Sequence, residues 1–194
     1  MKIVGKVSSR GGTTVKYIQE TSDRFLVEAT YINRPEKHIV CFSSQVGCAI
    51  GCTFCVSGAR KEGAYQRSLT AVELMQQCQN IVDAELGSVS RKAPVEKPLL
   101  FSCMGEGEPF LNFKACVSAF HELGRRSWPV PVVRIAVSTS GIRPDLIRRL
   151  GEIVFTLPVK LQISLHGPND EIPKAFIGML EGRNIGKRLV KVAD

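Results

Sequence analysis

Four of the seven cysteines in this 194-residue chain fall between Cys41 and Cys55, in the stretch CFSSQVGCAIGCTFC. Cys48, Cys52 and Cys55 are separated by three residues and then two, with Gly51 inside the run and Gly47 just before it. A tight loop of this kind can wrap three thiolates around one small inorganic core. Structural zinc usually takes four ligands, often as two cysteine pairs. Here there is one triplet, which His38 or Cys41 could complete. A four-iron cluster is normally held by four cysteines. Three would leave one iron open to a non-protein ligand, which suits a catalytic cluster. On spacing alone both metals stay open.

The compartment bears on what the thiols do. No apolar run approaches the roughly 18 residues of a membrane helix. The first residues, MKIVGKVSSRGG, lack the long apolar stretch of a secretory leader. The expectation is a cytoplasmic chain with reduced thiols and no membrane partner. In that setting a cysteine cluster points to metal or redox chemistry rather than to a disulfide framework. The net charge of +8, from 26 Lys and Arg against 18 Asp and Glu, favours a polyanionic partner, nucleic acid above all. No run of five or six like charges forms a basic tail.

The elements that must position these groups emerge from periodicity. TTVKYIQE and RFLVEATYI alternate apolar and polar residues around a TSDR turn, as a hairpin or small meander does. From Lys37 the pattern becomes strand, loop, helix, repeated. HIVCFSS runs as a strand into the cysteine loop. TAVELMQQCQNIVDAEL reads as a helix, with Thr70 as N-cap and Glu73 completing a capping box. KPLLFSCMG has almost no alternation, as buried parallel strands show. NFKACVSAFHEL reads as a helix from an Asn112 N-cap to Gly124. VVRIAVST, RPDLIRRLGE and VKLQISLH give a strand, a short helix and a strand. The expected fold class is α/β: a partial (β/α) barrel over 37–194, with its C-terminal half missing, after a small β-meander over 1–36. Each strand of the repeating part ends in a polar stretch: the cysteine loop, MGEGEP, STSG and SLHGPND. Ligands of α/β folds sit at the carboxyl ends of the strands, so these four stretches outline one site.

The cysteine triplet, with Phe54 before its last member, resembles the radical S-adenosylmethionine (SAM) motif. With GAYQRSLTAVEL, MGEGEPFLN, VSTSG and ISLHGPNDEI in order, residues 14 to 172 resemble the bacterial 23S ribosomal RNA adenine C2-methyltransferase family. Its sister, the chloramphenicol–florfenicol resistance C8-methyltransferase, shares much of the pattern. The resemblance implies a barrel of the radical SAM type and a 4Fe-4S cluster on Cys48, Cys52 and Cys55, with SAM on the open iron. It implies SAM contacts from Gly107, Glu108, Ser138, Ser164, Leu165 and His166. It implies that Glu28 accepts a proton from the target adenine. Cys41 matches a cysteine that forms a transient disulfide while releasing a covalent protein–RNA adduct, and such a thiol must be reachable and able to ionise. The implied partners are RNA (23S rRNA or tRNA) and a flavodoxin-type electron donor.

Two departures qualify that resemblance. The family carries its methyl-bearing cysteine beyond the SLHGPND motif, and no Cys comes after His166 here. Glu106 stands where the family has Met. Compared with the family, the chain is expected to be shortened at both ends. Alternatives in the sequence are a radical SAM enzyme with another substrate and an inactive metal- or RNA-binding fragment.

Overall fold

The computed structural model describes residues 1–52, 55–57, 65–87, 97–153 and 158–164. Three antiparallel strands come first: β1 (Lys2–Ser8), β2 (Thr14–Glu20) and β3 (Leu26–Asn33). They are continuous with the parallel strands. β4 (His38–Cys41) pairs with β3, and the sheet continues through β7 (Leu99–Cys103), β8 (Val132–Thr139) and β9 (Val159–Ile163), all parallel. The order β1-β2-β3-β4-β7-β8-β9 makes one seven-stranded sheet among the described residues. The expected α/β class and the antiparallel lead-in are therefore both present. A second ladder, β5 (Gln45–Gly47) with β6 (Tyr65–Ser68), brackets the cysteine loop.

Register assigns each residue of the large sheet to a face, since paired residues point the same way. Val15, Tyr31, Val40, Phe101, Ile135 and Val159 succeed one another across six strands. All six are buried. One residue along, the row is Lys16, Thr30, Cys41, Ser102, Ala136 and Lys160. The apolar row faces the helices and the second row faces away.

The helices bury their apolar stripes on that first row. In α1 (Ala71–Leu86), Leu74, Cys78, Ile81 and Val82 are buried at helical spacing. Its capping box forms as expected: the Glu73 N–H donates to the Thr70 hydroxyl, and the Thr70 N–H donates to the Glu73 carboxylate at 2.8 Å. In α2 (Phe113–Arg125), Cys116, Ala119, Phe120 and Leu123 are buried. Trp128 covers Phe101 at 4.9 Å between ring centroids, and its indole N–H donates to the Leu123 carbonyl. α3 (Pro144–Ile153) adds Ile147 and Leu150.

Two details of α2 differ from expectation. Asn112 makes no side-chain cap. Its amide instead donates to the carbonyls of Ser44 and Leu69, at 2.8 and 2.7 Å, and a single-turn 3-10 helix over Pro109–Asn112 leads into α2. Gly124 does not end the helix, which runs to Arg125 and closes with the Arg126 N–H on the Glu122 carbonyl. No helix among the described residues is long and apolar enough to cross a membrane.

Candidate functional site

β4 ends at Cys41, and the chain turns through Ser43 and Ser44 into β5, whose last residue lies directly before Cys48. Gly47 and Gly51 both take positive φ, 72° and 69°, a conformation glycine adopts without strain. They fold the thiol loop back on itself, and the Cys55 N–H donates to the Cys52 carbonyl at 3.1 Å. Cys48, Cys52 and Cys55 are each partly buried and free of disulfides. Burial pushes the Cys48 thiol up, the Ile50 and Gly51 N–H groups hold it down, and the charges of Cys52 and Cys55 raise it slightly. The three thiols share this one loop. They do not converge: among the described residues no group of three ligating side chains could hold a metal ion.

The donor set nevertheless fits an iron–sulfur cluster: three thiols on one glycine-turned loop, with backbone N–H groups aimed at a sulfur that must ionise. Ligand loops commonly close only when metal is bound. Residues 53–54, including Phe54, lie outside the described residues.

The second polar strand end comes after β7. Glu108 is buried, and its carboxylate accepts four hydrogen bonds: from Thr139 Oγ1 (2.6 Å), Ser140 N (2.9 Å), Ser140 Oγ (3.0 Å) and Phe110 N (3.1 Å). It ties the end of β7 to the end of β8. A ligand ammonium at this carboxylate would have to share it with Ser140 or displace Ser140. Gly107 has φ 97°, and a Cβ there would lie 2.6 Å from Cβ of Gln45, so only glycine fits without a shift.

Ser43, Ser44 and Gln45 join these two regions. Ser43 Oγ donates to the Glu28 carbonyl (2.6 Å) and accepts from the Glu106 N–H (2.8 Å). Gln77 of α1, fully buried, bonds both the N–H and the carbonyl of Ser43 at 3.0 Å. The Ser44 N–H donates to the Glu106 carbonyl, and the Glu108 N–H donates to Gln45 Oε1 at 3.1 Å. Sequence reasoning reads Ser43 and Ser44 as the end of the HIVCFSS strand, which in the structure stops at Cys41, and gives none of the three a bonding role. A signal is present all the same: a serine–serine–glutamine run beside buried Phe42 and Val46 must find buried partners.

On the face away from the helices, Glu28 lies two residues along β3 from Thr30, the register partner of Cys41. The two sequence-predicted catalytic residues thus share a face at adjacent strand positions. Glu28 pairs with Lys16 of β2 at 2.7 Å, with both side chains part exposed. Cys41 is a harder case. Burial pushes its thiol up to about 11, against the Met104 N–H, which lowers it. All seven cysteines are free, and no finding supports the expected disulfide. Ser138 occupies the same face of β8, beside Gln162 of β9, and the Ser164 N–H donates to the Thr139 carbonyl at 2.9 Å. Leu165 and His166 lie outside the described residues.

Comparisons with known proteins bear on the family and fold of the chain. The model of the Radical SAM superfamily matches residues 42–181. A probable dual-specificity RNA methyltransferase RlmN from Carboxydothermus hydrogenoformans is 33% identical over 178 residues, covering 91% of this chain and 48% of the relative. The dual-specificity RNA methyltransferase RlmN from an Anaeromyxobacter species is 40% identical over 160 residues, covering 81% and 40%. The one from Aliarcobacter butzleri is 37% identical over 202 residues, covering 95% and 52%. The chain thus spans about half the length of the curated relatives it matches. A crystal structure of a radical SAM methyltransferase from Sphaerobacter thermophilus superposes with a TM-score of 0.77 at 29% identity, over 94% of this chain and 55% of that one.

Proposed function

This chain belongs to the radical SAM superfamily, and from that premise we propose that it acts in RNA methylation of the RlmN type. The substrate class is adenosine in RNA, 23S rRNA or tRNA. In this reading Cys48, Cys52 and Cys55 hold a 4Fe-4S cluster. Gly107, Glu108, Ser138, Ser164, Leu165 and His166 line the SAM site. Bound there, cluster and SAM supply one electron and a carbon radical, chemistry that the protein itself cannot provide.

The chain's own residues orient and shield. Glu108 fixes the ends of β7 and β8 against each other. The serines after β4 hold the thiol loop beside that junction. Glu28 takes a proton from the target base, and Lys16 holds its carboxylate in place. Cys41 lies on the neighbouring strand and shares that face with Glu28; a release step through it would also need a methyl-bearing cysteine, and no Cys follows His166. The +8 charge favours an RNA partner held through its phosphates. A flavodoxin-type protein is the proposed electron donor, and the cytoplasm the proposed compartment.

The observation that carries the proposal is the meeting of the thiol loop, the Gly107–Glu108 turn and the Glu28–Cys41 face at the carboxyl ends of the parallel strands. It is tested with protein reconstituted anaerobically with iron and sulfide, then given reductant, SAM carrying a labelled methyl group, and ribosomal or transfer RNA. Cleavage of SAM to 5′-deoxyadenosine with label on adenosine is expected. SAM cleavage with no label in either RNA would overturn the RNA reading. No cleavage at all would overturn the radical reading.

A further inference from the structure

Gln45 is 1% exposed and lies three residues before the first thiol of the loop. Its amide reaches three segments. Oε1 accepts from the Glu108 N–H at 3.1 Å and, over a long 3.5 Å contact, from the Ala49 N–H between Cys48 and Cys52. Nε2 donates to Ser68 Oγ of β6 at 3.3 Å. Its own N–H shares the Glu106 carbonyl with that of Ser44. Gly107 packs so closely on the Gln45 side chain that a Cβ there would meet Cβ and Cγ at 2.6 and 2.7 Å. One planar group with two acceptor lone pairs and a donor suits this junction. A carboxylate would keep the accepting oxygens and could accept from the Ser68 hydroxyl, whereas an apolar side chain would leave buried N–H groups unpaired.

We propose that Gln45 is a positioning residue that locks the thiol loop to the Gly107–Glu108 turn, so that SAM affinity depends on the oxygen its side chain presents to the Glu108 N–H. This rests on the reading of those two segments as the cluster and SAM sites.

The test compares the full chain with Gln45→Met, close in size and without an amide, and Gln45→Glu, which keeps the accepting oxygens. Each is reconstituted and assayed for iron content, cooperative melting, SAM affinity by equilibrium dialysis, and the spin-resonance signal of the reduced cluster with and without SAM. Gln45→Met is expected to load iron like the parent and to bind SAM about 10- to 100-fold more weakly, the loss expected for one or two buried donors. Gln45→Glu is expected to stay within about threefold. Parent-like affinity and spectral response in Gln45→Met would overturn the proposal. Should Gln45→Met not melt cooperatively, Gln45→Glu decides, and a tenfold loss of SAM affinity there would overturn it.

Hydrogen exchange of the cluster-free proteins separates this claim from the functional reading. Faster exchange in 48–52 and 105–110 together in Gln45→Met supports the lock, and unchanged exchange overturns it. A parent chain that binds neither iron nor SAM sinks the functional reading alone.

Discussion

On the helix side of the sheet, Val40, Phe101 and Ile135 are fully enclosed. One residue along the same strands, the other face presents Lys16, Thr30, Cys41, Ser102 and Lys160. A one-residue alternation therefore separates an apolar packing row from a mostly polar one. The strand ends belong to neither face. There buried polar groups, Glu108, Gln45, Ser43 and Gln77, do the joining with hydrogen bonds rather than apolar area.

The sharpest way to break this division is a pair of substitutions on opposite faces. Phe101→Ala removes a fully buried ring and should cost about 3–5 kcal/mol in urea unfolding. Lys160→Ala, on the adjacent row, should stay within about 0.5 kcal/mol. Equal losses would mean that the away face is also core.

Glu108→Gln comes next. The amide nitrogen would face donors that the carboxylate now accepts, leaving one or more buried groups unmatched at a cost of about 1–3 kcal/mol. Chemical denaturation reads it. A neutral result would mean that the β7–β8 junction does not depend on this carboxylate.

Much of the helix side is legible in the sequence because its signals are local. The Thr70–Glu73 capping box spans four residues, and the unalternating LLFSC run announces a buried parallel strand. The thiol triplet is equally plain. The strand-end network is not, because its partners are remote. Asn112 carries the composition of an N-cap, yet it bonds carbonyls 68 and 43 residues away. Nothing near Gln45 in the chain announces Glu108, 63 positions on. Nor does alternation tell a meander that stands alone from one that extends the neighbouring sheet through the β3–β4 pairing.

A smaller effect tests the tie between meander and helix. Arg67 bonds Asp23 in the β2–β3 turn and Glu73 at the start of α1, with N···O distances of 2.6 and 2.7 Å. Its guanidinium holds the Glu73 carboxyl below the ordinary range, against the effect of burial. The stabilisation is fully present above the unfolded carboxyl value, about 4.3, and is lost as pH falls through the lower folded value. Arg67→Met should lower the melting temperature by about 2–4 °C at neutral pH. The gap from the parent should narrow in acid, and a gap that widened there would contradict the pairing.

The smallest effect concerns Cys41. With its thiol pushed up to about 11, alkylation in cluster-free protein should be slow at pH 8. Mass spectrometry should show it quickening about tenfold per pH unit until near that value. Fast alkylation at pH 8 would place the thiol in water and dissolve the contrast between the Cys41 row and an open surface.

The central claim is that three thiols form one cofactor loop joined to a SAM site. Anaerobic reconstitution followed by iron analysis and electron spin resonance of the reduced protein tests it most directly. The account predicts about four irons per chain, bound through Cys48, Cys52 and Cys55, with a signal that shifts when SAM is added. One zinc per chain without a brown chromophore, or a cluster whose signal ignores SAM, would contradict it.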